Sequence, residues 1–170
     1  MRTLLIAAIA ATGAALSPTA FAQVYVSGGY TVVQADAVGS DVTLGAVTIR
    51  AGHDFNPFLA LEGEASFGVK DDSYTPFGST TPVNVSLDNQ LGVYAVGKLP
   101  LPGFGTAFAR AGYVNTSIDD PGNEVDDGDG LAFGGGLELD LIPGLKTRLE
   151  YTDYTQTKVQ TFGVSAGLRF

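Results

Sequence analysis

Cysteine is absent from this chain, so no disulfide, thiolate metal site, cysteine nucleophile or lipidated cysteine anchor is available to it. Tryptophan is absent too, and histidine and methionine occur once each. One imidazole leaves little scope for metal ligation or for acid–base chemistry near neutral pH. Basic residues are scarce: Lys and Arg number 9 against 18 Asp and Glu, a formal net charge of −9 at pH 7. That balance excludes nucleic acid as an expected partner, because binding it requires basic surface to neutralise phosphates. Past the N-terminus, no apolar run reaches the roughly 20 residues that a spanning helix needs. A membrane location would then demand a closed barrel, since helices and barrels alone satisfy every backbone polar group in lipid.

What is present begins with an export signal. Arg2 supplies a positive n-region, and Leu4 to Leu16 form a short apolar h-region. Ala20-Phe21-Ala22 reads as a small-x-small cleavage site. Cleavage between Ala22 and Gln23 divides the chain into a signal peptide, residues 1–22, and one mature domain, residues 23–170. No cofactor motif is evident. Gly is abundant at 23 residues, and Ala, Val, Leu, Phe, Tyr and Thr fill much of the rest, a composition that favours strands and turns.

Eight stretches read as strands: Val24–Val33, Leu44–Phe55, Phe58–Gly68, Val83–Leu99, Thr106–Asn115, Leu131–Leu141, Leu145–Tyr154 and Gln160–Phe170. Most match the ~9–11 residues of a tilted membrane strand. Asn56-Pro57, Pro100 to Gly105 and Ile142-Pro143-Gly144 are short connections rich in Pro and Gly. Gln34 to Thr43, Lys70 to Pro82 and Thr116 to Gly130 are longer and polar, and Thr155 to Val159 is short and polar. Short turns alternating with longer loops is the arrangement of outer-membrane barrels, with both termini on the periplasmic side. The expected fold is all-β: an eight-stranded antiparallel up-and-down transmembrane β-barrel behind a cleavable signal peptide.

Side chains alternate across a strand, so each stretch has two faces. In the last, Phe162, Val164, Ala166, Leu168 and Phe170 share the apolar face, and Gly163, Ser165, Gly167 and Arg169 the other. Along the whole chain the polar face collects Arg50, Lys98, Arg110, Lys146, Arg148 and Arg169. Against them stand Asp54, Glu62, Glu64, Asp88, Glu138, Asp140 and Glu150. In the fourth stretch, Val85, Leu87, Leu91, Val93 and Ala95 fall opposite Asp88, Gln90, Tyr94 and Lys98. A one-residue slip would exchange the faces, so register is strongly specified.

Alternation alone leaves the direction of the charged face open. A soluble lipocalin-like barrel would bury the apolar face and expose the charges. The export signal, the terminal Phe170 and the near balance of charge favour the inverse, because charges taken out of water need partners. Tyr30, Phe55, Phe58, Phe67, Tyr113, Tyr151 and Phe170, near strand ends, are placed to form interfacial girdles.

The chain resembles the OmpA/OmpX-like family of small outer-membrane β-barrel proteins. The residues that carry this are Arg50-Ala51-Gly52-His53-Asp54-Phe55-Asn56-Pro57, Leu59-Ala60-Leu61-Glu62-Gly63-Glu64, Leu131-Ala132-Phe133-Gly134-Gly135-Gly136-Leu137-Glu138, Arg148-Leu149-Glu150-Tyr151 and Gly167-Leu168-Arg169-Phe170. The resemblance implies residence in the bacterial outer membrane, contact with its lipid and lipopolysaccharide, and a monomeric state. It also implies that Leu168 and Phe170 belong to an assembly signal read by the barrel-assembly machinery, although Ser165 stands where that signal usually has Gly. No segment resembles the peptidoglycan-binding domain of full-length OmpA-type proteins, so no wall-anchoring role is expected.

Among candidate sites, His53 falls on the apolar face while Asp54 points the other way, and no nucleophile–base–acid triad is visible. Asp119 to Asp129 form an acidic loop that departs from the EF-hand pattern at Val125. Gly28-Gly29 and Gly134-Gly135-Gly136 lack a following helix and read as places for bends or close packing rather than phosphate loops. The lumen charges remain the main functional candidates. Eight strands enclose a space that side chains can fill, so the expectation is a salt-bridged plug in a non-enzymatic protein with a structural or surface-interaction role. The alternatives are a narrow solute or ion channel lined by the same charges and, further off, a lipid-modifying enzyme.

Overall fold

A computed structural model describes residues 23–37, 40–70, 72–74, 83–119, 128–142, 145–155 and 159–170. The signal peptide, with its Ala22 cleavage site, and most of the acidic loop lie outside the described residues.

Among the described residues there are nine strands: β1 (Gln23–Ala37), β2 (Ser40–Asn56), β3 (Leu59–Lys70), β4 (Asp72–Tyr74), β5 (Val83–Leu101), β6 (Gly105–Asp119), β7 (Gly128–Ile142), β8 (Leu145–Tyr154) and β9 (Val159–Arg169). All except β4 build the barrel. Each pairs antiparallel with its sequence neighbour, β3 pairs with β5, and β1 pairs with β9 to close the cylinder. Closure leaves no barrel strand with an open edge, which lipid would not tolerate. The ends are joined where the Phe170 amide donates to the Val24 carbonyl at 2.8 Å.

The strands run further than composition suggests. Gln34 to Ala37 and Ser40 to Thr43 continue the β1–β2 ladder instead of forming a loop. The loop expected between Lys70 and Pro82 contains β4, a three-residue strand against Val83–Val85. Polar side chains discourage burial but do not stop a backbone ladder, so the far end of this hairpin looks like a loop in the sequence.

The short turns have local causes. Leu101-Pro102-Gly103-Phe104 closes with the Phe104 amide donating to the Leu101 carbonyl at 3.0 Å. Gly103 has φ of 79°, as position i+2 of a type II turn requires after Pro at i+1. At the β2–β3 turn the Phe58 amide donates to Asn56 Oδ1 at 2.8 Å, an Asx turn preceding the next strand.

The burial pattern is that of a soluble protein turned inside out. Arg50, Glu62, Glu64, Arg110, Glu138, Arg148 and Glu150 are buried, while Ile49, Phe67, Leu141, Leu149 and Val164 lie outward. This excludes the soluble-barrel alternative. The proposed girdle aromatics Tyr30, Phe55, Phe58, Phe67, Tyr113, Tyr151 and Phe170 all lie outward.

One assignment of faces fails. Leu87, expected outward with Leu91 and Val93, is 7% exposed and packs inside against Val33, Leu44 and Ala46. The register between β5 and β6 shifts between Leu87 and Asn89, a bulge at Asp88. An extra residue inverts the alternation on one side of it, so Leu87 turns in although Leu91 remains outside. The Asp88 side chain lies outside the described residues.

Candidate functional site in the lumen

The interior is layered along the barrel axis. Nearest the short turns lie Asp54, Lys98, Lys146 and Arg169. Asp54 sits at the end of β2 before the bulge that opens the turn, and its two oxygens meet Lys98 Nζ at 2.7 Å and Arg169 Nη2 at 2.9 Å. Glu138 on β7 is shared by Lys146 at 3.7 Å, Arg148 at 3.8 Å and Lys98 at 3.9 Å. Asp140 does not join the buried group. Its side chain is 60% exposed at the rim, 3.5 Å from Lys146 Nζ, because the β7–β8 ladder is interrupted immediately after it.

The middle layer is a ring of alternating sign. Glu64 accepts from Arg50 Nε and Arg110 Nη1, each at 2.6 Å. Glu150 Oε1 lies 2.8 Å from Arg50 Nη2 and 2.6 Å from Arg110 Nη2. Arg148 lies 2.8 Å from the other Glu150 oxygen and donates to Glu62, which also accepts from the Tyr25 hydroxyl. The pairs link all six cations and six of the seven expected carboxylates into one connected network: Arg50, Lys98, Arg110, Lys146, Arg148 and Arg169 with Asp54, Glu62, Glu64, Glu138, Asp140 and Glu150. Shared partners suit this environment, since an unpaired charge out of water costs several kcal/mol.

Beyond the ring is a layer of neutral hydrogen bonds. Thr48 Oγ1 lies 2.8 Å from both Thr31 Oγ1 and Ser66 Oγ. Gln90 donates to Thr116 at 2.9 Å and accepts from the Tyr154 hydroxyl at 3.2 Å.

Sequence reasoning did not assign the aromatic residues of this interior, apart from placing Tyr94 on the polar face. Arg148 Cζ lies 3.7 Å from the Phe108 ring centroid, Arg110 Cζ 4.0 Å from that of Tyr94, and Lys98 Nζ 4.5 Å from that of Tyr25. Ring faces attract cations where water is excluded. The signal was available in phase: Phe108 shares the face of Arg110 on β6, and Tyr25 the face of Ser27 and Thr31 on β1. Glycines make the room. Gly92 and Gly112 are overlaid by the Tyr94 ring, and Gly52 by that of Tyr25.

The catalytic candidates His53 and Asp54 are separated by this geometry. His53 is on the outer face, edge-on to Phe55 at 5.1 Å between centroids, while the adjacent Asp54 is committed inside to Lys98 and Arg169. Among the described residues, no group of three or more His, Asp or Glu is placed to hold a metal ion.

Apolar outside, charged inside and joined by short turns at one end, the molecule falls in the class of small outer-membrane β-barrels. The chain belongs to the family defined by the outer membrane protein beta-barrel domain, whose model matches residues 3–170, and its location is the bacterial outer membrane. The attachment invasion locus protein Ail of Yersinia pestis, in its crystal structure with the heparin analogue sucrose octasulfate, is similar with a TM-score of 0.60 at 16% identity, over 88% of this chain and 99% of that one. Neisserial surface protein A is similar with a TM-score of 0.54 at 17% identity, over 86% and 95% respectively. A de novo designed transmembrane β-barrel is similar with a TM-score of 0.53 at 15% identity, over 91% and 98%. At these identities the likeness is one of fold. No curated protein matches the chain.

Proposed function

We propose that this barrel is a non-conducting, non-catalytic outer-membrane protein with a structural and surface-interaction role, contributing to envelope integrity and to adhesion or host contact. The observation that carries this reading is the connected network of twelve ion-paired side chains across the lumen. Nine of the twelve have two or three ionic partners each and are tethered, whereas a conduction path needs binding weak enough for ions to leave. Lipid and lipopolysaccharide are the partners of the outer face. The strand ending in Leu168 and Phe170 is the segment read by the assembly machinery, and the barrel acts as a monomer. Ail was crystallised with a sulfated glycan analogue. This chain, with 18 acidic residues against 9 basic ones, suits cationic partners better than sulfated ones.

Planar-bilayer conductance of the refolded mature chain tests the reading, with heat-dependent gel mobility confirming that the barrel has formed. A silent bilayer is expected. Discrete, reproducible channels would overturn the plug and make the same charges a selectivity filter.

A further inference from the structure

The lumen contains a second obstruction that the charge network does not explain. Val33, Leu44, Ala46 and Leu87 form a buried aliphatic cluster, with Val159 packed against it. Val159 also touches a second buried cluster that includes Val114, Ala132 and Tyr154. The first lies on the loop side of the hydroxyl layer, whereas the second runs from Tyr154 in that layer down to Tyr94 and Phe108 beside the ionic ring. Val33 is one inward position beyond Thr31, and Ala46 and Leu44 are the next two beyond Thr48. On β3 the matching inward position is Gly68, where a Cβ would meet the Leu87 carbonyl oxygen, so no side chain fits there. β1, β2, β3, β5 and β9 thus supply apolar or hydrogen-only inward positions at this level through Val33, Leu44, Ala46, Gly68, Leu87 and Val159. The turn end is different in kind. There Lys146 and Arg169 side chains are 24% and 30% exposed, beside a cavity of about 30 Å³ lined also by Lys98, Glu138 and Arg148.

We propose that the lumen is closed by two barriers in series with opposite chemistry: the ionic plug toward the periplasm and an apolar septum toward the outside, each sufficient to block ions alone. The inference rests on the reading of the barrel as non-conducting and deepens it. A narrow aliphatic constriction excludes ions because it cannot replace their hydration shell and itself dewets. Losing the ion pairs would then hydrate the lumen from the periplasmic side without opening a path across the membrane.

Three refolded variants in planar bilayers test this, each checked for the heat-dependent mobility of a closed barrel. Glu64→Ser with Arg110→Ser removes a cation and an anion together and should stay silent. Leu44→Ser with Leu87→Ser should stay silent too. The fourfold variant should conduct. Conduction by the Glu64/Arg110 variant alone overturns the septum, and conduction by the Leu44/Leu87 variant alone overturns the sufficiency of the ionic plug. A folded but silent fourfold variant overturns the assignment of both barriers. Conduction by the unaltered chain would instead sink the non-conducting reading itself.

Thiol accessibility keeps the test open if the fourfold variant fails to fold, and the absence of cysteine makes it clean. Leu44→Cys and Lys146→Cys are mild changes. In membranes, a water-soluble maleimide should modify Lys146→Cys readily and Leu44→Cys on the order of 100-fold more slowly, as a packed interior position reacts only through rare opening. Equal rates would overturn the septum.

Discussion

Glu64 and Arg110 meet across the lumen, Oε2 to Nη1 at 2.6 Å, although β5 separates their strands in the sheet. The contact bridges two strands that do not pair with each other, so its loss is felt on both. Glu64→Ala leaves Arg110 and Arg50 sharing Glu150 alone. Removing one partner of a buried pair costs about 3–5 kcal/mol, because a desolvated charge is left uncompensated. Urea unfolding in lipid should show a midpoint well below that of the unaltered chain. The balanced pair Glu64→Leu with Arg110→Met should lose much less, since no orphan charge remains. A double variant as unstable as the single one would show that packing, not charge, sets the cost.

Close packing at glycine gives an independent check on the interior. A Cβ at Gly134 would meet Thr152 Oγ1 and the Tyr151 carbonyl, both at 2.6 Å, whereas a Cβ at Gly28 would meet nothing within 4 Å. Gly134→Ala should destabilise by about 1–3 kcal/mol through overpacking. Gly28→Ala should be neutral or stabilise by up to about 1 kcal/mol, because alanine lowers the entropy of the unfolded chain. Similar unfolding midpoints for the two variants would contradict the packing around Arg110 and Thr152.

These two glycines also mark where the sequence stops being legible. Period-two alternation separates the charges from the aliphatic face because Arg50, Glu62, Glu64, Arg110, Arg148 and Glu150 all lie in unbroken ladder. It does not reveal which charge meets which, since Arg50 and Glu150 are 100 residues apart and their contact depends on closure. It fails locally at the Asp88 bulge, where one extra residue inverts the phase and sends Leu87 inward. It also stays silent on Val33 and Leu44, aliphatic residues on the charge-bearing face. Their role emerges only when they are seen to pack against Leu87 and Ala46.

The outer face should respond to charge by depth. Ile49 is 51% exposed in the central part of β2, and Phe104 is 80% exposed in the β5–β6 turn. Arginine on the lipid face of a barrel costs about 2–4 kcal/mol at the bilayer midplane and about 0–1 kcal/mol near the interface. Ile49→Arg should therefore lower refolding yield and unfolding midpoint in vesicles far more than Phe104→Arg. In a detergent micelle the difference should shrink, because a micelle reorganises around the charge. Equal penalties in vesicles would place Ile49 outside the hydrocarbon.

The terminal aromatic separates stability from assembly. Phe170 holds the barrel seam through its backbone amide, while its side chain is 75% exposed. Phe170→Ala keeps that hydrogen bond, so in vitro refolding and the unfolding midpoint should change by no more than about 1 kcal/mol. In cells, the amount of heat-modifiable barrel in the outer membrane should fall several-fold if the machinery reads this side chain. The variant Gly103→Ala supplies the opposite control. It strains a position with φ of 79° without touching the last strand, so it should weaken the barrel in vitro and leave targeting intact. Unimpaired cellular assembly of Phe170→Ala would remove Phe170 from the assembly signal and leave the seam hydrogen bond as the whole contribution of the C-terminus.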